Sequence, residues 1–185
     1  MIEAIVLFFL SLLFIPIAYL LKIDSIWIII AFAGLMIPTF YAMFTGGPFV
    51  PSKQERISKM LKLAEIKKGQ KVYDLGCGDG RIVQAAAKLG ANAVGLEISP
   101  GAWFLAKIRC LFTKNCQIRL ASIWQQNYQD ADIIFCYLLA PTMHRFYQEI
   151  WPKLKSGTVV ISNGFPIKDL KPDKQIDKVF RYTKS

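Results

Sequence analysis

The sequence predicts an α/β fold, in which a doubly wound, mainly parallel sheet is preceded by an N-terminal two-helix transmembrane hairpin. Two long uncharged apolar runs occupy the first 44 residues, and a connector rich in glycine and proline follows them. Beyond it, short apolar strands alternate with helical segments as far as the C-terminus. Alternation of this kind is typical of a parallel sheet covered by helices on both faces.

The two apolar runs, 4–21 and 26–44, contain no charged residue. At about 1.5 Å per residue, a helix of either length spans most of a hydrocarbon core of about 30 Å. A cleaved signal peptide fits less well, because the first run lacks a basic start and the second lies too far from the N-terminus. We therefore predict transmembrane helices at about 4–21 and 26–44, a connector at 46–52, and one domain over 53–185.

Charge predicts the orientation of this hairpin. Residues 1–44 carry a net charge of −1 and the whole chain +10, so residues 45–185 carry +11. Basic residues follow the second run closely at Lys53, Arg56, Lys59 and Lys62. The positive-inside rule then places the domain in the cytoplasm, with a prokaryotic plasma membrane favoured and a mitochondrial membrane possible. The basic excess either attracts an anionic lipid surface or acidic partner, or is an ordinary solvated surface. Nucleic acid is not expected, since no Lys/Arg run with interleaved aromatics occurs.

The four cysteines form no CxxC pair, and the single histidine, His144, stands apart from them. They are Cys77, Cys110, Cys116 and Cys136. We therefore expect no metal site, and we expect reduced, mostly buried thiols.

The elements of the domain are predicted in chain order. Ser52 and Glu55 suggest a capping box, followed by a helix whose apolar face recurs until Gly69. That face is Ile57, Met60, Leu61 and Ala64. Strands are predicted at 71–75, 93–97, 116–121, 132–138, 158–163 and 178–182. Helices are predicted at 81–89, at 100–112 with Ser99 as the cap, and along an apolar stripe formed by Met143, Phe146, Tyr147, Ile150 and Leu154.

The stretch VYDLGCGDGR, from Val72 to Arg81, follows the first strand and predicts a ligand site. Ligands of such sheets bind outside the carboxyl ends of the strands. Glycines at alternate positions let the backbone turn sharply and let a ligand approach the main-chain amides, next to a helix N-terminus. Glu97 ends the second strand, where a carboxylate can accept hydrogen bonds from ribose hydroxyls.

The glycine spacing indicates which ligand binds. The dinucleotide fingerprint is GxGxxG, whereas this loop reads GxGxG. Asp74 and Asp79 would repel a phosphate but suit the ammonium of an amino acid. A cofactor with a ribose and an amino acid but no phosphate fits S-adenosylmethionine.

VYDLGCGDGR, followed by AVGLEISP, resembles motif I and its successor in the class I S-adenosylmethionine-dependent methyltransferases, over roughly residues 50–163. The strings GGPFVPS, DLGCGDGRIV and YLLAP resemble a narrower group. These are the membrane-anchored protein-lysine methyltransferases that, in mitochondria, modify the adenine nucleotide translocase and the c-ring protein of ATP synthase, with their prokaryotic relatives. The resemblance implies a Rossmann-like class I methyltransferase fold.

The resemblance also implies roles for individual residues. It implies that the methionine portion of the cofactor is surrounded by Asp74, Gly76, Gly78 and Gly80. It also implies that Glu97 binds the ribose and that Ile98 lies against the adenine. Relatives usually carry an acidic residue after the third strand, where this chain has Ser122, which we expect to accept from the adenine amino group. Trp124 either flanks the adenine or anchors its loop. The family usually adds two antiparallel strands after residue 166, but only 178–182 is evident, so we expect a shortened C-terminal edge.

Methyl transfer to a lysine needs alignment of the amine and loss of its proton. We predict that Tyr137 and the backbone of Leu138 align the amine, with Ser52 as a third candidate; the alternative for Tyr137 is a plain core aromatic. Three functions stay open. They are a membrane-anchored protein-lysine methyltransferase, a methyltransferase for a lipid or hydrophobic small molecule, and a non-catalytic cofactor-binding membrane module.

Overall fold

The structure, a computed structural model, describes residues 19–20, 24, 26–30, 33–34, 52–168 and 170–185. Residues 19–20, 26–30 and 33–34 are helical, and large apolar side chains among them are exposed. The remainder of the two predicted transmembrane helices, and connector residues 46–51, lie outside the described residues. Within the part of the chain that is described, no helix combines the length and apolar character needed to cross a membrane.

The described residues form a seven-stranded sheet in the order β3-β2-β1-β4-β5-β7-β6. The strands are β1 Lys71–Leu75, β2 Asn92–Glu97, β3 Cys116–Leu120, β4 Ile133–Cys136, β5 Val159–Asn163, β6 Lys174–Ile176 and β7 Val179–Thr183. Strands β1 to β5 are parallel, and β7 is antiparallel to both its neighbours. The central strands β4 and β5 are buried along their whole length. Continuous burial explains why they read as unbroken apolar runs.

Four helices cover the two faces of the sheet. They are α1 Gln54–Ala64, α2 Arg81–Lys88, α3 Pro100–Cys110 and α4 Ala140–Glu149, with 3-10 helices at Ile123–Gln125 and Trp151–Lys153. Helices α1, α2 and α3 bury side chains in one core cluster, and α4 packs in the cluster on the other face. The doubly wound α/β prediction is confirmed, and the predicted strands before residue 164 all occur, with small differences at their ends.

The predicted capping box is wrong. Helix α1 begins at Gln54 with Lys53 as its N-cap residue, and no side chain caps it. Glu55 instead contacts Lys59 one turn later, and the Ser52 hydroxyl accepts a hydrogen bond from Asn163. Tertiary contacts to Ser52 therefore replace the local cap that the sequence suggested.

The expectation of reduced cysteines is wrong for one pair. Cys110 ends α3 and Cys116 begins β3, and the turn between them brings their Cα atoms within 5.5 Å, where they form a disulfide. Cys77 and Cys136 are free and buried.

The C-terminal edge is not shortened by a strand, contrary to the sequence expectation. Strand β6 pairs with β7 through a tight turn at Asp177, which has a φ of 52°. Its three residues are too few to show a period-two pattern. The edge is held to helix α1, since Lys174 and Arg181 both form ion pairs with Glu65, at 2.6 and 2.9 Å.

Candidate active site

The candidate site lies where the strand order reverses, between β1 and β4, at the carboxyl edge of the sheet. Ligands bind at this switch point in open α/β sheets. Four neighbouring strands, in the order β2-β1-β4-β5, bring the sequence-predicted residues to this edge. The residues at or just beyond the strand ends are Glu97, Asp74, Gly76, Tyr137, Leu138 and Asn163.

The glycine loop folds back over the end of β2. Gly76, Gly78 and Gly80 have φ values of 72°, 56° and 76°, in the left-handed region that suits glycine. The amides of Gly76 and Cys77 both donate to the carbonyl of Leu96, at 3.0 and 2.9 Å. A Cβ at Gly80 would lie 3.2 Å from the Ala106 Cα, so the loop also presses directly on helix α3. The loop is therefore held against the end of β2 by backbone hydrogen bonds and against α3 by close packing at Gly80.

Glu97 holds this loop in place. The side chain is buried, its Oε2 accepts from the Gly78 amide at 2.9 Å, and its Oε1 accepts from the amides of Ile98 and Ser99 at 2.8 Å. The structure thus shows a positioning role for Glu97 that the sequence did not reveal, while its contact with a ribose stays a prediction.

Asp74 is a buried acid with one oxygen that lacks a donor. The residue is 4 % exposed, and its Oδ2 has no hydrogen-bond partner among the described residues. Burial, together with the charges of Glu97 and Asp79, raises the pKa of Asp74 to about 8. A buried acceptor without a donor is costly, and an ammonium group supplies both the donor and the opposite charge. Asp74 therefore fits the amino acid portion of S-adenosylmethionine.

Asp79 does not serve that purpose, which corrects the sequence interpretation. Its carboxylate accepts from Arg81 at 2.7 and 2.8 Å and from Arg109 at 2.8 Å. Burial opposes ionisation of Asp79, but these two guanidinium groups outweigh it and lower the pKa of the carboxyl. Asp79 therefore links the loop to α2 and α3, while a contact of Asp74 with the ammonium stays a prediction.

Gly95 and Cys77 are two further site residues that the sequence interpretation missed. A Cβ at Gly95 would lie 2.6 Å from the Cys77 Sγ, so the absence of a side chain in β2 makes room for the thiol beneath the loop. Burial raises the pKa of the Cys77 thiol well above its usual range, which keeps the group neutral. The available signal was a lone glycine inside an apolar strand, which often marks a close approach of another chain segment.

Tyr137 and Leu138 follow β4 on the other side of the crevice. Tyr137 is 41 % exposed, so the core-aromatic alternative is not supported. Its ring edge would be 3.0 Å from a Cβ at Gly164, which follows β5. Leu138 is buried and points towards the glycine loop, with its Cδ2 3.9 Å from a Cβ built on Gly76.

Ser52 is also brought to this edge, and the sequence did not predict how. Its carbonyl accepts from Arg81 at 2.7 Å, and its hydroxyl accepts from the Asn163 side chain at 3.4 Å. Arg56 in turn donates to Asn163 Oδ1 at 3.0 Å. The start of the domain is thereby held to the first residue of α2 and to the end of β5. The only sequence signal for Asn163 was a polar residue at the end of an apolar strand.

Ser122 and Trp124 lie just beyond β3. The Ser122 hydroxyl accepts from the Trp124 amide at 3.3 Å and so stabilises the short 3-10 helix. The Trp124 ring lies under the Arg145 guanidinium at 4.0 Å and lines a cavity of about 240 Å³ with Tyr128 and Ile150. These contacts with α4 favour the loop-anchor alternative for Trp124. The contacts of Ser122, Trp124 and Ile98 with adenine stay predictions.

Among the residues that the structure describes, no three His, Cys, Asp or Glu side chains lie close enough together to hold a metal ion.

The sheet order, the glycine loop after β1 and the acidic end of β2 define a class I S-adenosylmethionine-dependent methyltransferase. Among solved structures, an RNA methyltransferase from Salinibacter ruber in complex with S-adenosylhomocysteine superposes with a TM-score of 0.69. The two share 30 % identity over 73 % of this chain and 94 % of the other.

Sequence comparison gives the family. Residues 74–174 match the ANTKMT methyltransferase domain, and the chain belongs to that family. It is 34 % identical to a protein-lysine N-methyltransferase of Saccharolobus islandicus, over 71 % of this chain and 84 % of the relative. It is 26 % identical to the adenine nucleotide translocase lysine N-methyltransferase of Mus musculus, over 73 % of this chain and 62 % of the relative. The chain is thus an enzyme whose cofactor is S-adenosylmethionine.

Proposed function

We propose that this enzyme is anchored in a membrane and transfers a methyl group from S-adenosylmethionine to a lysine of a membrane-associated protein. The observation that carries the lysine assignment is the 34 % identity to a protein-lysine N-methyltransferase over most of both chains. A second relative acts, by its name, on the adenine nucleotide translocase, which agrees with a protein acceptor.

The cofactor side of the crevice is assigned to residues of β1 and β2. Asp74 pairs with the ammonium group, the glycine loop passes along the methionine portion, Glu97 accepts from the ribose, and Ile98 lies against the adenine. Ser122 and Trp124 are the further candidates at the adenine end. When bound, S-adenosylmethionine supplies a methyl group on a sulfonium, which is electrophilic without help from an acid or a metal. The residues therefore have to bind, align and exclude water.

The acceptor side is assigned to Tyr137, the Leu138 backbone and Ser52. A lysine amine has an ordinary pKa near 10.4 and must lose its proton before it reacts. An apolar surrounding lowers the pKa of an amine because burial penalises its charged form. Buried Leu138 supplies apolar surface, while the exposed Tyr137 offers a hydroxyl to hold the neutral amine in line. Ser52 is held beside the same edge by Asn163 and Arg81.

Membrane attachment is assigned to the apolar runs 4–21 and 26–44. The described apolar residues there support it, since Leu20, Trp27 and Ile29 expose more than half of their surface, which suits lipid contact. We place the enzyme as a two-pass protein with its catalytic domain in the cytoplasm, in a prokaryotic plasma membrane by preference or a mitochondrial one. Its partners are then the bilayer and a protein substrate held at it.

The test is methyl transfer by the full chain in its native membranes, with radioactive methyl on the cofactor. We expect label on lysine side chains of membrane proteins. For Tyr137→Phe we expect a kcat about ten- to a hundredfold lower with unchanged cofactor affinity, because only alignment of the amine is lost. Tyr147→Phe, on α4, is the matched control and should behave as the wild type. Label confined to the lipid fraction would instead establish the lipid methyltransferase alternative.

A further inference from the structure

The outer side of helix α3, with the two residues that follow the helix, carries large apolar side chains that nothing in the described structure covers. We name it the apolar ridge, and it consists of Phe104, Leu105, Ile108, Leu111 and Phe112. Leu111 is 69 % exposed and Phe112 is 95 % exposed, while the other three expose between 43 and 59 %. A soluble surface rarely carries so many large apolar residues together, so this ridge indicates an interaction site.

The ridge follows a helical repeat of its own. Phe104, Leu105 and Ile108 are spaced one, three and four residues apart, which places them on one side of a helix with 3.6 residues per turn. Leu111 and Phe112 continue this apolar surface in the turn after Cys110. Small residues, Ala102, Ala106 and Cys110, recur on the opposite side and are buried against the sheet. Helix α3 therefore has a narrow face that packs in the core and a broad apolar face that does not.

The chain segment that carries the ridge contains basic residues and no acidic ones. Residues 98–129 contain Lys107, Arg109, Lys114 and Arg119 but no Asp or Glu. Arg109 pairs with Asp79, while Lys107 and Lys114 are exposed and the Lys107 amine lies 5.8 Å from the centre of the Trp103 ring. Their long stems let the amines reach outwards beside the apolar side chains. An apolar stripe flanked by lysines is the pattern of helices that lie in the headgroup layer of a membrane.

We infer that the apolar ridge docks the domain onto the headgroup region of an anionic lipid bilayer. The inference rests on the proposed membrane anchor and adds a second, peripheral contact to it. A symmetric dimer through the ridge is disfavoured, because it would bring Lys107 and Lys114 of two copies together. Anionic headgroups neutralise these cations instead.

The ridge lies on the same face of the sheet as helix α1, which is the helix nearest in sequence to the predicted hairpin. Helices α1, α2 and α3 pack on the same face of the sheet, and the predicted hairpin joins the chain just before α1. Helix α3 also begins directly after Glu97 to Ser99, and Gly80 of the glycine loop contacts Ala106 at its middle. A docked α3 would hold the crevice at a fixed height above the bilayer, where a membrane protein presents its lysine.

The test uses the full chain in liposomes, with the photocrosslinker benzoylphenylalanine replacing single residues. Phe104→benzoylphenylalanine probes the ridge, and Gln148→benzoylphenylalanine, exposed on α4 on the opposite face, is the matched control. Ile29→benzoylphenylalanine reports separately on the hairpin. Liposomes contain phosphatidylglycerol or phosphatidylcholine alone, and lipid adducts are counted by mass spectrometry.

We expect lipid adducts at position 104 in phosphatidylglycerol and only background at 148. Combining Lys107→Glu with Lys114→Glu should lower the yield at 104 by about fivefold or more, because two attractive charges become repulsive. Adducts at 29 but not at 104 would overturn the docking inference and leave the anchor standing. Adducts at neither position would overturn both the docking inference and the membrane anchor. Adducts at 104 alone would support docking without a hairpin. Crosslinks between two copies of the chain would show self-association instead of lipid docking.

Discussion

Three acidic side chains near the glycine loop have separate tasks because each has different partners. Asp79 is neutralised by Arg81 and Arg109, and Glu97 accepts hydrogen bonds from the amides of Gly78, Ile98 and Ser99. Asp74 keeps a buried oxygen without a donor among the described residues. The sequence separated Glu97, at the end of the second strand, from the other two acids, but only the structure distinguishes Asp74 from Asp79. At the residue scale, the task of each acid therefore follows from the partners that its carboxylate contacts within the protein.

Glu97→Ala tests the double role of that residue. We expect the variant to lose most of its affinity for S-adenosylmethionine and to unfold at a lower temperature, because the Gly78 amide loses a charged acceptor worth about 1.5–3 kcal/mol. Glu97→Gln keeps one carbonyl oxygen and should lose less on both measures. Calorimetric titration and thermal unfolding give the two readouts, and unchanged affinity in Glu97→Ala would refute the ribose assignment.

At the scale of elements, the loop between β1 and α2 depends on close contact with helix α3. Gly80 combines a φ of 76° with backbone of Ala106 only 3.2 Å from a built Cβ. Gly80→Ala should lower the free energy of unfolding by about 1–3 kcal/mol, since the loop must shift and its new side chain sits in a strained region.

Gly101→Ala is the matched control for that prediction. Gly101 lies in the first turn of α3, and a Cβ there meets nothing within 4 Å. The same substitution should be neutral or should stabilise the helix by about 0.5–1 kcal/mol. Urea unfolding of both variants measures their free energies of unfolding. Equal changes in the two variants would show that close contact between the loop and α3 does not explain the need for glycine at position 80.

The sequence was sufficient for elements whose signal is local. Short strand-like segments between turn residues predicted β1 to β5 to within a few residues, with the clearest signal in the buried apolar runs of β4 and β5. The glycine loop and Glu97 were predicted in the same way from local sequence. Strand β6 has only three residues and pairs through β7, while Ser52 is fastened by Asn163 from a distant strand. Gly95 matters because of a thiol elsewhere in the chain. These features arise from pairing between distant segments, which periodicity does not encode.

At the scale of the whole molecule, the proposal places a basic catalytic domain on the cytoplasmic side of a two-helix anchor. A reporter enzyme that is active only in the cytoplasm, fused after Ser185, should be active in intact cells. A reporter that works only outside the cytoplasm should be silent at the same position. The reverse pattern would contradict the topology, and fractionation of the fusion into the soluble fraction would contradict the anchor.

The most direct measurement is calorimetric binding of S-adenosylmethionine to the full chain at pH 6 to 7.5, in two buffers with different ionisation enthalpies. Because the pKa of Asp74 is about 8 in the free protein and an ammonium lowers it, binding should release protons and tighten as pH rises towards 8.

Asp74→Asn should weaken binding and abolish the proton release, while Asp173→Asn, on the exposed loop before β6, should change neither. Binding and proton release that are the same in Asp74→Asn as in the wild type would contradict the account of the cofactor site.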